Sequence, residues 1–383
     1  RNKPFGSLAK RTLGEMFGAK DSARSGLELA YDSLLRGEPG KMHNKKVLSK
    51  YLSIVDKEPV DGYDLVSTID VSMQDICESA LREKLHELNA SMGVVVLMEV
   101  KTGDVKAIVN LMRYDDGNYY EARNYALAAL MEPGSTFKTA SIMVALDDGY
   151  ITPSTTVDTG NGIYNMYGAK MKDHNWATRG GYGVLDVPHI LMVSSNIGVS
   201  RIVDENYHHQ PQKFVEGLRR VGIGTPLGLP FDGAADPVIR TPNKENWSKT
   251  ALAWMSIGYE TQIPPISTVS FYNAIANGGK MVRPRFVKGI SKKGEMVEEF
   301  PVEVIKPQIC KKSTLDDIQN ILYRVVNDKA GLGKKAGNPY FHVSGKTGTA
   351  QVATGGSYKS GKNEHLVSFC GYYPSEDPKY TCV

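Results

Sequence analysis

Apolar residues change their spacing several times along the chain, and each change predicts an element. Over residues 72–88, SMQDICESALREKLHEL, they recur at Ile76, Ala80, Leu81, Leu85 and Leu88, the spacing of an amphipathic helix. Two strand-length runs follow, GVVVLMEV from Gly93 and VKAIVNL from Val105, joined by Lys101-Thr102-Gly103-Asp104; together they predict a hairpin. In EPGSTFKTASIMVAL, starting at Glu132, a Pro133-Gly134 turn leads into Phe137, Ala140, Val144 and Ala145 at helical spacing, and Gly149 ends the run. A long mixed region with further helical patterns extends to about residue 330. YFHVSGKTGTAQV and EHLVSFCGYYP then predict two more strands around a glycine- and lysine-rich loop, and DPKYTCV predicts a turn followed by a strand over Tyr380–Val383. Residues 1–66 have a different texture, rich in Gly, Lys and Arg. There SGLELAYDSLLRGEPG predicts one short helix stopped by Gly-Glu-Pro-Gly. Strands, then helices, then strands again imply an α+β domain with an antiparallel sheet flanked by helices.

Composition narrows this only slightly. The 383 residues, 41% hydrophobic and 23% charged, suffice for one large domain with an appendage or for two ordinary domains. A net charge of +4 is too mild to argue for a nucleic-acid partner. Cys77, Cys310, Cys370 and Cys382 show neither CxxC pairing nor metal-ligand spacing and read as small buried hydrophobes. There is no HExxH, and His208-His209 in a polar stretch reads as surface. No run approaches the ~20 apolar residues of a membrane span, and no stretch of these residues reads as a signal peptide. The chain opens on Arg1 and is expected to be a piece of a longer protein.

The chemistry begins with a badly placed lysine. Ser135 and Lys138 fall in the first turn of the expected helix, one turn apart. That end of a helix is positive and prefers acidic residues. A serine hydroxyl is a poor nucleophile until a base removes its proton, and a lysine serves as that base once its pKa falls from ~10.4 toward 7. Burial and the positive helix end both push it that way. The unpaired N–H groups of the helix start can also hold a developing oxyanion. Alone, S-x-x-K is weak: Ser7-Leu8-Ala9-Lys10 is a second copy, without the Pro-Gly lead or an amphipathic helix after it, and reads as surface.

Two further motifs add weight. VSSNIGVS sets Ser194 and Asn196 two apart in a largely apolar stretch. A hydroxyl and an amide there can relay a proton and hold a substrate amide, although a turn or helix cap uses the same residues. Lys346, Thr347, Gly348 and Thr349 follow the apolar Phe341-His342-Val343, a strand edge along which a substrate can lie with its carboxylate anchored. KTG is also duplicated, since Lys101-Thr102-Gly103 is the hairpin turn. What is specific is the order S-x-x-K, S-x-N, K-T-G at domain-scale separations.

These three motifs together resemble the penicillin-recognising serine enzymes. Within that group the chain resembles class B penicillin-binding proteins, the peptidoglycan DD-transpeptidases. The likeness extends to GLELAYDSLLRGEPG, DGYDLVSTIDVSMQDICESAL, NYALAALMEPGSTFK, KTGTAQ and SIGYETQIPPISTVSFYNAIANGGKMVRPRFV. It implies a transpeptidase and serine β-lactamase-like fold over residues 67–383, truncated at its C-terminal end, with residues 1–66 the remnant of an N-terminal pedestal domain. It implies that Ser135 is acylated, Lys138 is its base, Ser194 and Asn196 relay protons and bind the donor peptide, and Lys346 closes the polar network. Thr347 and Thr349 would hold the terminal carboxylate of D-alanyl-D-alanine beside Gly348, and the N–H groups of Ser135 and Thr349 would form the oxyanion hole. The resemblance implies no metal or cofactor, and the partners it implies are peptidoglycan stem peptides, β-lactams, a membrane glycosyltransferase and other division proteins. The expected location is the outer face of the cytoplasmic membrane, through an anchor outside this segment. VSSNIGVS and IGYE resemble the cell-division branch. A class D-like β-lactamase or sensor resembles the chain less, since such proteins lack the YDSLLRG and TIDVSMQD segments. A non-catalytic scaffold of the same fold is the rival from another class.

Overall fold

The structure is a computed structural model and describes residues 4–16, 22–243, 245–351 and 365–383. Asp70 starts the first long helix, α1 (Val71–Leu88), by accepting the Met73 N–H at 2.9 Å, and Asn89 ends it in a left-handed conformation. The expected hairpin follows as β1 (Met92–Glu99) and β2 (Val105–Arg113), with Gly103 at φ +73° in its turn. Alternate side chains point to opposite faces. Val96, Met98 and Ile108 enter the main core, whereas Val95, Val109 and Leu111 pack with Leu81 and Leu85 of α1. A sheet apolar on both faces requires helices on both. The stripe on α1 is narrower than its spacing suggests, because Ile76 and Leu88 are 67% and 55% exposed.

After the short β3 (Tyr119–Tyr120) come α2 (Lys138–Asp147), a small hairpin of β4 (Ile163–Met166) and β5 (Ala169–Lys172), α3 (Asn196–Tyr207), α4 (Pro265–Ala276) and α5 (Lys312–Asn327). The chain returns to the sheet as β6 (Ser344–Gln351), β7 (His365–Tyr373) and β8 (Tyr380–Cys382). The strand order is β6-β7-β8-β1-β2-β3, with every neighbouring pair antiparallel. This is the expected α+β architecture. Every residue of α2 and of α4 is buried, as helices apolar on all sides must be. They form the centre of the helical layer. On α4, Asn273 bridges to the sheet by donating to the Val100 carbonyl at 3.0 Å and accepting from Thr381 Oγ1 at 2.8 Å.

The expected final strand exists, and it lies in the middle of the sheet. β8 pairs with Gly371–Tyr373 on one side and Leu97–Glu99 on the other. Its neighbour β7 pairs with β6 over eight residues but with β8 over three. β6 is an edge strand.

Upstream, the single helix expected in SGLELAYDSLLRG is two, Gly26–Ala30 and Asp32–Leu35. They part at Tyr31, whose φ of −118° breaks the helix while its ring stacks on Phe300 at 6.3 Å. Leu27 reaches the main core, and Asp64–Ser67 pairs with the strand Val287–Lys292. The four cysteines are free; Cys310 and Cys370 are buried, Cys77 and Cys382 half-buried. Among the described residues no helix is long and apolar enough to cross a membrane.

Candidate active site

Ser135 sits in a 3₁₀ turn, Gly134–Phe137, that runs directly into α2. Polar and close contacts fix this turn from several sides. Thr136 Oγ1 donates to the Pro133 carbonyl at 2.9 Å, and the buried Tyr272 of α4 donates to the Thr136 carbonyl at 2.8 Å. Gly134, at φ +58°, donates its N–H to the Gly258 carbonyl at 3.2 Å. A Cβ on Gly258 would stand 2.0 Å from the Gly134 carbonyl oxygen. The two backbones can meet there because Gly258 has no side chain; a Cβ on Gly134 would instead meet Ala350 Cβ at 2.9 Å and the Thr349 carbonyl oxygen at 3.0 Å. On the strand side, a Cβ on Gly348 would lie 2.3 Å from Ser368 Oγ and 2.9 Å from Thr136 Cγ2. The bare Gly348 thus lets β6 close onto the serine turn, in addition to any room it leaves for a substrate.

Lys138, the first residue of α2, is fully buried. Its Nζ donates to the Ser194 carbonyl at 2.8 Å and to Ser194 Oγ at 3.1 Å. Lys346, on β6 and likewise fully buried, donates to the same Ser194 Oγ at 3.0 Å and to the Thr347 carbonyl at 2.9 Å. One hydroxyl therefore bridges two buried amines contributed by motifs some 200 residues apart in the chain (346 − 138 = 208). Burial lowers the pKa of Lys138 to about 7, against a smaller opposing pull from Asp173. Burial, and then the like charge of Lys138, drive Lys346 well below the ordinary lysine range. Two ammonium ions this close and this dry repel each other and lack solvation, so the pair sheds protons. Ser135 itself is half-buried, and its side chain makes no hydrogen bond among the described residues.

Ser194 holds a left-handed backbone, φ +56°, unusual for a residue with a side chain. The next residue explains how the turn is held. Ser195, fully buried, caps α3 by accepting the Gly198 N–H at 2.9 Å and donates to Asp173 Oδ2 at 2.8 Å. Asp173 Oδ1 accepts the Ile197 N–H at 3.0 Å. The motif is thus clamped between a helix cap and a buried carboxylate just past β5. Asn196 Nδ2 donates to the Lys172 carbonyl at 2.7 Å. A carbonyl can only accept, so this contact fixes the amide and leaves its oxygen for another donor.

These groups surround one cleft of about 860 Å³, lined by Ser135, Ser194, Asn196, Thr347 and Thr349. Lys138 and Lys346 lie beneath it. The structure brings together every residue that the three motifs singled out; Gly348 is the one that contributes through strand packing and not through the cleft lining. The other S-x-x-K stays apart: Ser7 is exposed and Lys10 pairs with Glu15 at 2.9 Å. Sequence reasoning missed Asp173 and Ser195. Ser195 hides in the unspecified position of S-x-N, and Asp173 is a lone acid after an alternating strand, a pattern common on any surface.

A family model described as the penicillin binding protein transpeptidase domain matches residues 93–383. The chain belongs to this family. It is 27% identical to the probable peptidoglycan D,D-transpeptidase PenA of Neisseria flavescens over 93% of this chain and 85% of that one. It is 29% identical to the probable peptidoglycan D,D-transpeptidase PbpC of Pseudomonas aeruginosa over 98% of this chain and 64% of that one. It therefore spans a little under two thirds of the length of relatives such as PbpC. Among solved structures, the transpeptidase domain of Burkholderia pseudomallei penicillin-binding protein 3 is 28% identical, with a TM-score of 0.68 over 83% of this chain and 86% of that one. Penicillin-binding protein 3 of Mycobacterium tuberculosis superposes with a TM-score of 0.82 at 24% identity, over 100% of this chain and 82% of that one. The family resemblance drawn from the motifs and the fold expected from it are borne out.

Proposed function

We propose that this chain carries a serine D,D-transpeptidase that cross-links peptidoglycan stem peptides. The observation that carries the reading is the single Ser194 hydroxyl held between the two buried lysine amines, beside Ser135. Neutral Lys138 takes the Ser135 proton as Oγ attacks the carbonyl before the last D-alanine. The bond to that D-alanine breaks, and the proton passes through Ser194 to its departing amine. Lys346 keeps Ser194 oriented between the amines. The N–H groups of Ser135 and Thr349 receive the oxyanion, Asn196 meets the donor amide, and Thr347 and Thr349 hold the terminal carboxylate. An amine from a second stem peptide then attacks the ester, gives up its proton and frees Ser135.

β-Lactams act as donor mimics and leave a stable ester on Ser135. Structures of the M. tuberculosis relative with aztreonam and with ampicillin support this reading. A septal role draws support from relatives named FtsI and stage V sporulation protein D; a place on the outer face of the cytoplasmic membrane, beside a membrane glycosyltransferase and other division proteins, is part of the same proposal. In this proposal residues 1–66 are the remnant of a pedestal and residues 67–383 the transpeptidase domain. The test is intact mass after incubation with benzylpenicillin, with the adduct mapped. The adduct belongs on the peptide holding Ser135 and vanishes in a folded Ser135→Ala variant. Labelling that survives that substitution, or that maps to Ser7, overturns the proposal.

A further inference from the structure

The cleft has a basic wall that the acyl-transfer chemistry does not use. β5 pairs with β4 in an antiparallel hairpin whose alternation buries Met171 and exposes Lys170 and Lys172. Both lysines line the same cleft as Ser135. Neither has a carboxylate partner among the described residues. The Lys172 ammonium rests 4.3 Å from the centre of the Trp176 ring, another cleft residue. This cation–π contact steadies a long side chain without neutralising it.

The rest of the described lining sets a single acidic side chain against these two ammonium groups. Its one carboxylate, Asp173, is fully buried and committed to Ser195 and to the Ile197 N–H. His174 Nε2 is held at 2.8 Å from the Tyr182 hydroxyl. A cleft lined by one sign of charge concentrates ligands of the other. The wall is also tied to the motif that meets the donor, because the Lys172 carbonyl is the anchor of Asn196. A donor peptide whose amide reaches the Asn196 oxygen therefore runs beside β5.

Resting on the proposed transpeptidase reading, we infer that Lys170 and Lys172 are specificity-determining residues that select donors with a free carboxylate, not a carboxamide, on the residue preceding D-alanyl-D-alanine. The terminal carboxylate, on the Thr347 and Thr349 side, is a separate group. Two partly exposed ion pairs, each modest, together discriminate about tenfold. The preference fades as salt rises.

The experiment compares two thioester donors, identical but for a side-chain carboxylate or carboxamide on that residue, with benzylpenicillin as a third acylating agent. Acylation of Ser135 is followed by intact mass at low and high salt. The expected result is about tenfold faster acylation by the carboxylate donor at low salt. The ratio should fall toward one in a Lys170→Gln, Lys172→Gln double variant and be retained in the Lys170→Arg, Lys172→Arg variant, with circular dichroism and melting curves verifying folding. Equal rates with the two donors overturn the inference alone. So does acylation by benzylpenicillin with neither thioester, or a preference that survives the glutamine variant. Failure of benzylpenicillin to acylate Ser135 removes the proposed function and this inference with it.

Discussion

Lys101-Thr102-Gly103 and Lys346-Thr347-Gly348 are the same tripeptide with opposite fates. The first is the turn of a hairpin: Lys101 is exposed, Thr102 Oγ1 donates to Glu99 at 3.0 Å, and Gly103 is left-handed. The second lies within edge strand β6, where Lys346 is fully buried against Ser194 and Gly348 is pressed onto the serine turn. Ser7-x-x-Lys10 and Ser135-x-x-Lys138 differ in the same way. What converts a common pattern into a reactive one is dehydration of the lysine and the arrival of a second amine at the same hydroxyl.

The sharpest way to break this comparison is to keep the charge and forbid its loss. Arginine does not deprotonate at working pH. Lys138→Arg should therefore slow acylation by benzylpenicillin by roughly 10²–10⁴, the usual worth of a general base, while Lys10→Arg leaves the rate as it was. A Lys138→Arg variant that acylates at the parental rate would reduce Lys138 to an electrostatic support.

Next in size is the contrast between glycines. Gly348→Ala drives a methyl into Ser368 Oγ and Thr136 Cγ2 and should cost roughly 1–3 kcal/mol of stability together with a loss of acylation rate. Gly103→Ala meets a left-handed backbone and the Arg283 carbonyl at 2.6 Å, so it should also lower the melting temperature. With no contact to the serine turn, it should leave the acylation rate of the folded fraction alone. Melting curves and rates measured on the same samples separate the two effects.

A smaller effect is expected at Thr349. Thr349→Ala removes the hydroxyl and keeps the backbone N–H. The loss should stay below the roughly 10²–10³ of a missing oxyanion donor and be greatest for donors with a free terminal carboxylate. An equal loss with a carboxylate-masked donor contradicts the assignment.

Much of this was legible in the sequence where local chemistry decides. The hairpin over residues 92–113, the helix after Ser135 and the last strand rest on alternation, on helical spacing and on turn residues. The same logic overstated α1, because Ile76 and Leu88 satisfy a helical period yet face solvent; spacing reports a face, and the partner decides how much of it is covered. It also could not find Asp173, which acts only after folding brings β5 beneath Ser195. Nor could it set the position of Tyr380–Cys382 between β7 and β1, since strand order is fixed by contacts far apart in the chain. Lys170 and Lys172 show alternation in the sequence, but only the fold turns that face toward Ser135.

Burial that makes Lys138 reactive also affects stability. Its folded pKa, about 7, is below the ordinary ~10.4 of an unfolded lysine, so the unfolded chain binds more protons between these values. Stability from this group therefore rises with pH across that window, and below pH 7 its burial is at its most costly.

The most direct test of the account is the pH profile of Ser135 acylation by benzylpenicillin, followed by intact mass in single-turnover conditions. With Lys138 as the base and its pKa about 7, the rate should climb about tenfold per pH unit below 7 and level off above it. A rate that is flat from pH 5 to 9, or that keeps rising toward pH 10, would contradict a neutral, buried Lys138 as the base.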